Sequence, residues 1–290
     1  MGYALGVLTL SCIQGIAALG LAIFTGFTGQ FSLGHAAFMG IGAYTAALLT
    51  YFAGVPFVIA VVAGALAATV ISLVIGVPTL KAKLRSDYFA IAIMGFGEAV
   101  RVILENLQIT QGARGLPGIT RYTNLPVALL ALAIMAWLAR NFILSKYGWR
   151  AIAVREDPVA AEMMGIDLFR TKLLSLGASA FFSGVAGGLL AHYLMFIQPV
   201  MFTNVQSTQL IAAVVAGGIG SLTGPVLAAA IFIIIPELLR VANMWRLVIY
   251  GLMLILIMVF RPAGLMGYHE LSLEWLRGLG RRNRRLTTNA

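Results

Sequence analysis

The stretch FVIAVVAGALAATVISLVIGVPTL (residues 57–80) decides the fold, because it is apolar, uncharged and long enough to cross a bilayer. A transmembrane helix needs about 20 consecutive apolar residues. The uncharged run extends back to Met1, since no Asp, Glu, Lys or Arg precedes Lys81. Of the 290 residues, 60% are hydrophobic and 10% are charged, and a soluble fold of this length could not bury so much apolar surface. The sequence therefore predicts an all-α, polytopic membrane protein.

Hydrophobic runs outline a transmembrane helical bundle with about nine membrane segments, some of them short or broken. The amino-terminal run has no basic leader and no cleavage site, so it is interpreted as a membrane segment. A transmembrane domain is predicted over residues 1–267, followed by a basic tail, residues 268–290. The predicted segments are 2–25, 30–53, 56–80, 86–108, 125–144, 173–195, 207–220, 224–240 and 245–261.

Basic residues predict the orientation of the chain in the membrane. Most of the 20 Lys and Arg residues fall at 81–85, 140–172 and 261–285, and the positive-inside rule places such clusters in the cytoplasm. The carboxy terminus is then cytoplasmic and the amino terminus lies outside. For the first segment two alternatives stay open: either residues 2–25 do not cross fully, or a further helix preceded Met1. The net charge of +10 reflects this orientation and does not indicate a nucleic-acid partner.

No pattern of an enzyme or a metal site occurs in the sequence. The three His residues are scattered, Cys12 is the single cysteine, and no Walker A motif is present. We therefore expect this chain to catalyse no reaction and to bind no metal or cofactor. Any energy source has to come from another chain.

Two segments interrupt apolar runs with Gly, Ser and Thr: GFTGQFSLGHAAFMGIGAY (residues 26–44) and AGGIGSLTGPVLAAA (residues 216–230). Paired breaks of this kind indicate a translocation site, because unwound backbone is tolerated only where protein or water satisfies it. Close helix packing through small residues is the alternative. Packing alone does not explain the polar cluster in the first break, since such groups usually face a cavity. The candidate path residues in the breaks are Gln30, Ser32, His35, Gly217, Gly218 and Ser221.

Segment 86–108 carries Glu98, Arg101 and Glu105, whose offsets of three and four residues place them on one helical face. An intramembrane Arg needs a partner, although Arg101 can also extend towards the outer surface. One interpretation is a structural ion cluster. The other is contact between Glu98 or Arg101 and the ammonium or carboxylate of a passing zwitterion.

The most charged stretch is RAIAVREDPVAAEMMGIDLFRTK (residues 150–172). Asp157 followed by Pro158 is typical of a helix start, and Gly165 fits the position just past a helix end. A helix of about seven residues is unstable alone in water, so it has to dock on another surface. The two methionines at 163 and 164 offer adaptable apolar contacts. The helix is therefore predicted to bind a partner; an ordinary surface helix is the alternative.

Five motifs in this order resemble the LivM-type permease of branched-chain amino acid ABC importers. The resemblance extends over residues 20–267, nearly the whole chain. The motifs are GFTGQFSLGHAAFMGIGAYTAALL (26–49), SDYFAIAIMGFGEAVRVILEN (86–106), TQGARGLPGI (110–119), DPVAAEMMGI (157–166) and AGGIGSLTGPVLAAA (216–230).

The resemblance implies a permease subunit of an ATP-driven importer in the bacterial inner membrane. The implied partners are a second, LivH-type permease, two cytoplasmic ATPases of the LivG and LivF type that use ATP and Mg, and an extracytoplasmic amino acid-binding protein. It also implies an additional helix upstream of residue 2. Residues 145–172 would form the ATPase-coupling loop. The candidate coupling residues are Asp157, Pro158, Ala160, Ala161, Glu162 and Gly165.

Other functions stay open at this point. Related systems carry urea or short amides, so the motifs do not specify the substrate. A secondary transporter or a channel acting alone is a further alternative. The short docking helix speaks against both, and the spans also lack the acidic relay expected of a secondary transporter.

Overall fold

The computed structural model describes residues 2–82 and 86–238, together with residues 251, 252, 255, 259 and 264–267. In these residues the chain is an all-α bundle with one short pair of strands. The helices are α1 (Gly2–Leu21), α2 (His35–Phe52), α3 (Phe57–Lys81), α4 (Ser86–Asn106), α5 (Leu125–Leu144), α6 (Lys146–Glu156), α7 (Pro158–Met163), α8 (Leu168–Leu194), α9 (Asn204–Gly217) and α10 (Thr223–Leu238). A π-helical turn, Ala22–Gly26, extends α1, and 3₁₀ turns span Gly112–Arg114 and Pro199–Phe202.

Five stretches of the described chain are long and apolar enough to cross a membrane. They are Tyr3–Gly26, Phe57–Lys81, Leu125–Leu144, Leu168–Leu194 and Pro199–Gly217. The structure thus confirms an apolar helical bundle but not the predicted nine segments. Helix α4 lies outside this set because it carries four charged residues, and α10 is a shorter apolar helix. The predicted segment 245–261 and the tail 268–290 fall largely or wholly outside the described residues.

Several predicted boundaries shift for local reasons. Helix α2 begins at His35 and not at residue 30, because a turn precedes it. Helix α8 begins at Leu168 and not at residue 173, because the Asp167 carboxylate caps it by accepting from the Arg170 amide. Helix α9 ends at Gly217, since Gly218 adopts φ +117°, a conformation outside the helical region.

The helices lie along one common direction, with α2 parallel to α8 and α3 antiparallel to both, which gives the bundle two ends. The Lys81 ammonium lies 5.9 Å from the centre of the Phe169 ring, at the end that also carries α6 and α7; we call it the loop end. At the opposite end the rings of Phe57 and His192 lie 5.0 Å apart. There strands β1 (Leu116–Pro117) and β2 (Phe196–Ile197) pair antiparallel, and we call this the hairpin end.

The first helix starts at the hairpin end. The Tyr3 hydroxyl donates to the Glu237 carboxylate near the end of α10, and a Cβ added at Gly6 would lie 2.8 Å from the Tyr193 hydroxyl near the end of α8. Stretch Tyr3–Gly26 is a continuous candidate span of 24 residues. These contacts support a full crossing by the first segment, from the hairpin end to the loop end.

Helices α2, α3 and α8 pack through glycine. A Cβ added at Gly42 would collide with the backbone of Gly184, and one added at Gly64 would lie 2.5 Å from the Gly42 carbonyl oxygen. Small residues let helix backbones approach closely, which is how membrane helices associate without a hydrophobic driving force. The centre of the bundle is therefore set by backbone contact.

Large apolar side chains lie on the outside of the bundle. Helix α3 exposes Val58, Val70 and Val74, and α5 exposes Leu130 and Trp137. Such continuous apolar surface is suited to contact with lipid or with another membrane subunit.

Candidate functional site

The first break, defined as residues 26–34, links the π-helical turn to α2 near the loop end. Its position is fixed by two contacts: the Phe31 amide donates to the Ser86 hydroxyl at 3.5 Å, and a Cβ at Gly34 would collide with the Ile93 backbone. Both contacts are to α4. π-Helical turns are rare and often occur at functional sites.

A buried hydrogen-bonded cluster occupies the break. His35 Nδ1 lies 2.6 Å from Ser32 Oγ, and His35 Nε2 lies 2.5 Å from Ser179 Oγ on α8. All three side chains are completely buried. We call Ser32, His35 and Ser179 the His35 cluster. At the next residue, the Ala36 amide donates to the Ser207 hydroxyl of α9 at 3.0 Å.

The His35 cluster therefore satisfies its polar groups within the bundle. Aromatic rings also flank the imidazole, with Phe38 edge-on at 5.4 Å between ring centres. The sequence suggested that Ser32 and His35 face a cavity, whereas in this conformation they join the first break to α8. Gln30 is also buried. A role of these residues in the path stays a prediction.

The second break, residues 217–222, connects α9 to α10 by direct backbone contact. A Cβ at Gly217 would collide with the Gly224 backbone, and one at Gly224 would collide with Gly217. The Ser221 hydroxyl accepts from the Gly224 amide at 3.1 Å. Residues near the chain end seal the turn, since the Leu265 amide donates to the Ala216 carbonyl at 2.7 Å.

The two breaks touch each other. A Cβ added at Gly26 would lie 2.5 Å from the Ile219 carbonyl oxygen. Gly26 and Ile219 are far apart in sequence, and the fold brings them together near the loop end. The paired breaks predicted from the sequence thus form one continuous region.

The predicted charge cluster is present on α4 and extends to α9. Arg101 Nε donates to Glu98 at 2.7 Å, its Nη1 donates to Glu105, and the Asn204 amide group donates to Glu98 at 2.8 Å. The Glu98 side chain is 41% exposed. Since an ion cluster facing lipid is costly, its open side is suited to a water-filled path or to a second subunit.

The predicted docking helix has the predicted ends. The Asp157 carboxylate accepts from the Val159 and Ala160 amides at 2.8 and 3.1 Å, and Pro158 is the first helical residue of α7. Gly165 adopts φ +79°. Its amide donates to the Glu162 carbonyl at 2.9 Å. The cap and the left-handed glycine are therefore confirmed.

Helix α7 presents an apolar tip. Met163 is 84% exposed and Met164 83% exposed, while Ala161 is buried against the rest of the loop end. Pro158, Ala160 and Glu162 are exposed as well, and Asp157, not Glu162, caps the helix start. Large exposed apolar side chains of this kind mark interaction surfaces.

Sequence reasoning missed the partners of these residues. Ser179 and Ser207 lie in the predicted apolar segments 173–195 and 207–220, Asn204 lies between these segments, and helix α6 lies in the predicted coupling loop. Isolated Ser residues in apolar spans are the signal that could have identified the first two. Among the described residues, no group of three His, Cys, Asp or Glu side chains could hold a metal ion.

Comparison with known proteins gives matches over most of the chain. Residues 3–258 match the family described as "Branched-chain amino acid transport system / permease component". The high-affinity branched-chain amino acid transport system permease protein LivM of Escherichia coli is 32% identical, over 90% of this chain and 69% of its own length. The LivM protein of Salmonella typhimurium shows the same identity and coverage.

A more distant relative belongs to another transport system. The xylose transport system permease protein XylH of Haemophilus influenzae is 28% identical, over 47% of this chain and 38% of its own length. No solved structure matches the chain.

Proposed function

Because this chain belongs to the family of branched-chain amino acid transport permeases, and is of the LivM type, we propose that it is the membrane subunit of an ATP-driven importer. The importer would move branched-chain amino acids across the bacterial inner membrane by alternating access. The observation that supports this proposal most strongly is the family match over residues 3–258, in a chain whose described part is an apolar helical bundle.

Helix α7 supports the ATP-driven part of this proposal. It is capped at both ends, has only six residues and exposes two methionines at the loop end. A helix this short is held by what it packs against and not by its own stability. We propose that it inserts into cytoplasmic ATPase subunits of the LivG and LivF type, which bind the ATP and Mg. A channel or a secondary transporter acting alone has no need of such a helix.

The substrate path is proposed beside α4 and α9. There the partly exposed Glu98 and Arg101 carry opposite charges and can meet the ammonium and the carboxylate of an amino acid. A second, LivH-type permease would enclose this side, and an extracytoplasmic binding protein would deliver ligand at the hairpin end. On this topology the loop end and the carboxy terminus are cytoplasmic, as the basic residues predict.

Uptake into vesicles tests the proposal. The chain is reconstituted with a LivH-type permease, LivG- and LivF-type ATPases and an amino acid-binding protein. Uptake of labelled leucine, isoleucine and valine is measured with and without ATP on the side of the membrane that carries the ATPases. We expect ATP-dependent uptake of at least one of them. Uptake of urea or acetamide instead would show that the substrate class is a different one. Uptake without ATP would contradict the proposal that the importer is driven by ATP.

The docking role of α7 is tested separately with Gly165→Val. A non-Gly residue in the left-handed conformation costs about 1–2 kcal/mol, so the helix end should change direction and the ATPase subunits should be retained less well. Gly54→Val is the matched control, since Gly54 also has positive φ and open space around it but lies at the hairpin end. Glu162→Lys should weaken retention by reversing the charge of an exposed side chain on α7. Normal retention in both α7 variants would contradict the docking role.

A further inference from the structure

We propose that Arg155 transmits the movement of the docking helix to the first break. It is a positioning residue: it contacts the break and not the substrate. The inference rests on the proposed function, because it assumes that ATPase subunits move α7. Arg155 lies one residue before the end of α6, and Asp157, the cap of α7, follows two residues later. A displacement of the α7 start is therefore passed to Arg155 over two residues of chain.

The Arg155 side chain points from α6 into the bundle. Its Nη1 donates to the Gly26 carbonyl at 2.9 Å, a contact between residues 129 positions apart. The side chain is 18% exposed, and its Nε and Nη2 are held by Glu156 at 3.0 and 2.5 Å. The guanidinium is thus oriented by its neighbour and aimed at one backbone atom.

The acceptor is the last residue of the π-helical turn. Carbonyls at a helix end lack partners within the helix and carry partial negative charge, which favours a cationic donor. Gly26 is also the residue that packs against the Ile219 carbonyl of the second break. A shift of the Gly26 backbone would therefore change contacts in both breaks.

The first break is shaped to admit this side chain. Gly29 adopts φ +71°, and a Cβ there would lie 3.0 Å from Arg155 Cγ. Glycine therefore serves two purposes at this position: it accepts the left-handed backbone, and it leaves room for the Arg155 stem.

Helix α6 can act as a rigid connector. Its Ala151 and Val154 are buried against the bundle, whereas Arg150 on the same helix is exposed. The two arginines carry the same charge on the same helix, but only Arg155 contacts the break. Arg150 therefore provides a matched control.

The test uses the complete transporter in vesicles with three variants: Arg155→Met, Arg155→Lys and Arg150→Met. ATPase subunit retention, ATP hydrolysis and amino acid uptake are measured for each. For Arg155→Met we expect normal retention and continued hydrolysis, with uptake per ATP lowered roughly tenfold, the factor that corresponds to one lost hydrogen bond to a charged group. Arg155→Lys should restore part of the uptake, and Arg150→Met should match the unmodified chain.

A second pair of variants approaches the same contact from the other side. Gly29→Ala should displace Arg155 and lower uptake per ATP, whereas Gly54→Ala carries the same backbone strain with nothing nearby and should not. This pair decides the matter if Arg155→Met fails to assemble.

The outcomes separate the two proposals. If the unmodified transporter shows no ATP-dependent uptake, the proposed function fails. If it does show uptake, unchanged coupling in Arg155→Met and Gly29→Ala would overturn the role of Arg155 alone. Loss of ATPase subunits in proportion to lost uptake would also overturn it, since Arg155 would then only hold the loop in place.

Discussion

The two breaks stabilise interrupted helix backbone by different kinds of contact. In the first break, side chains satisfy the unwound backbone and each other: the His35 cluster bonds to α8, and Arg155 bonds to Gly26. In the second break, glycine backbones touch directly, with Gly217 against Gly224, and the Ser221 hydroxyl is bonded to the turn.

This difference separates parts that can move from parts that cannot. A hydrogen bond between side chains can break and form again with another partner at small net free energy. A backbone contact with no space for one added carbon can only be kept or lost. The comparison indicates that the side-chain bonds of His35 and Arg155 are the adjustable part of the first break, whereas its Gly26 and Gly34 make fixed backbone contacts like those of the second break.

The largest expected effect comes from Gly217→Val in the second break. Its Cβ would overlap the Gly224 backbone, and no side-chain rotation relieves a clash at Cβ. We expect a cost above the roughly 1–3 kcal/mol typical of overpacking, and little folded protein in membranes. Quantitative blotting of purified membranes measures it. A stable Gly217→Val protein would show that the second break adapts as readily as the first.

The next effect concerns the bonds that hold the start of α9, the helix leading to the second break. Arg101 bridges Glu98 and Glu105, so Glu98→Ala leaves it one carboxylate partner, whereas Arg101→Ala leaves two carboxylates without a cation, of which Glu98 keeps the Asn204 amide. We expect Arg101→Ala to cost about 3 kcal/mol, less where water reaches the cluster, and Glu98→Ala to cost less.

Thermal unfolding of the purified protein in detergent measures both variants. The double change Glu98→Ala with Arg101→Ala should recover part of the stability lost in Arg101→Ala. If all these variants unfold like the original chain but transport is lost, the cluster binds substrate and does not organise the helices.

The smallest effect is expected in the first break, from Ser179→Ala. It removes the partner of His35 Nε2 and leaves a buried polar atom unpaired, at about 1–3 kcal/mol. Ser183→Ala is the control: it lies one turn along α8, and its buried hydroxyl has no partner among the described residues, so its removal should be neutral or stabilising. The unfolding temperatures of the two variants test this expectation. Equal values would show that the His35 cluster contributes nothing to the stability of the protein.

What the sequence predicts correctly depends on local signals. The uncharged run before Lys81 indicates membrane helices, and α5 begins and ends where its apolar run does. Asp157 and Gly165 define α7 because caps are set by a few neighbouring residues. The count of nine segments was not confirmed, since α2, α4 and α10 are not among the five described stretches that are long and apolar enough to cross a membrane, and segment 245–261 lies largely outside the described residues.

The features that could not be predicted from the sequence are mostly contacts between residues far apart in the chain. No neighbouring residue in the sequence indicates that His35 contacts Ser179, which lies 144 positions away. Likewise, none indicates that Gly26 accepts a hydrogen bond from Arg155, 129 positions away. The π-helical turn could not be predicted from the sequence either, since its residues are ordinary apolar and small ones. Such pairings follow from how the helices assemble.

The distance between His35 and Ser179 has a consequence for biosynthesis. Ribosomes add about 5–20 residues per second, so Ser179, 144 positions later, emerges on the order of 10 s after His35. During that interval His35 Nε2 lacks its Ser179 partner, although Ser32 can already bond to Nδ1, whereas the apolar α3 can already enter lipid. We therefore expect α2 to take its final place only once α8 has been made, and the order of insertion to differ from the order of synthesis.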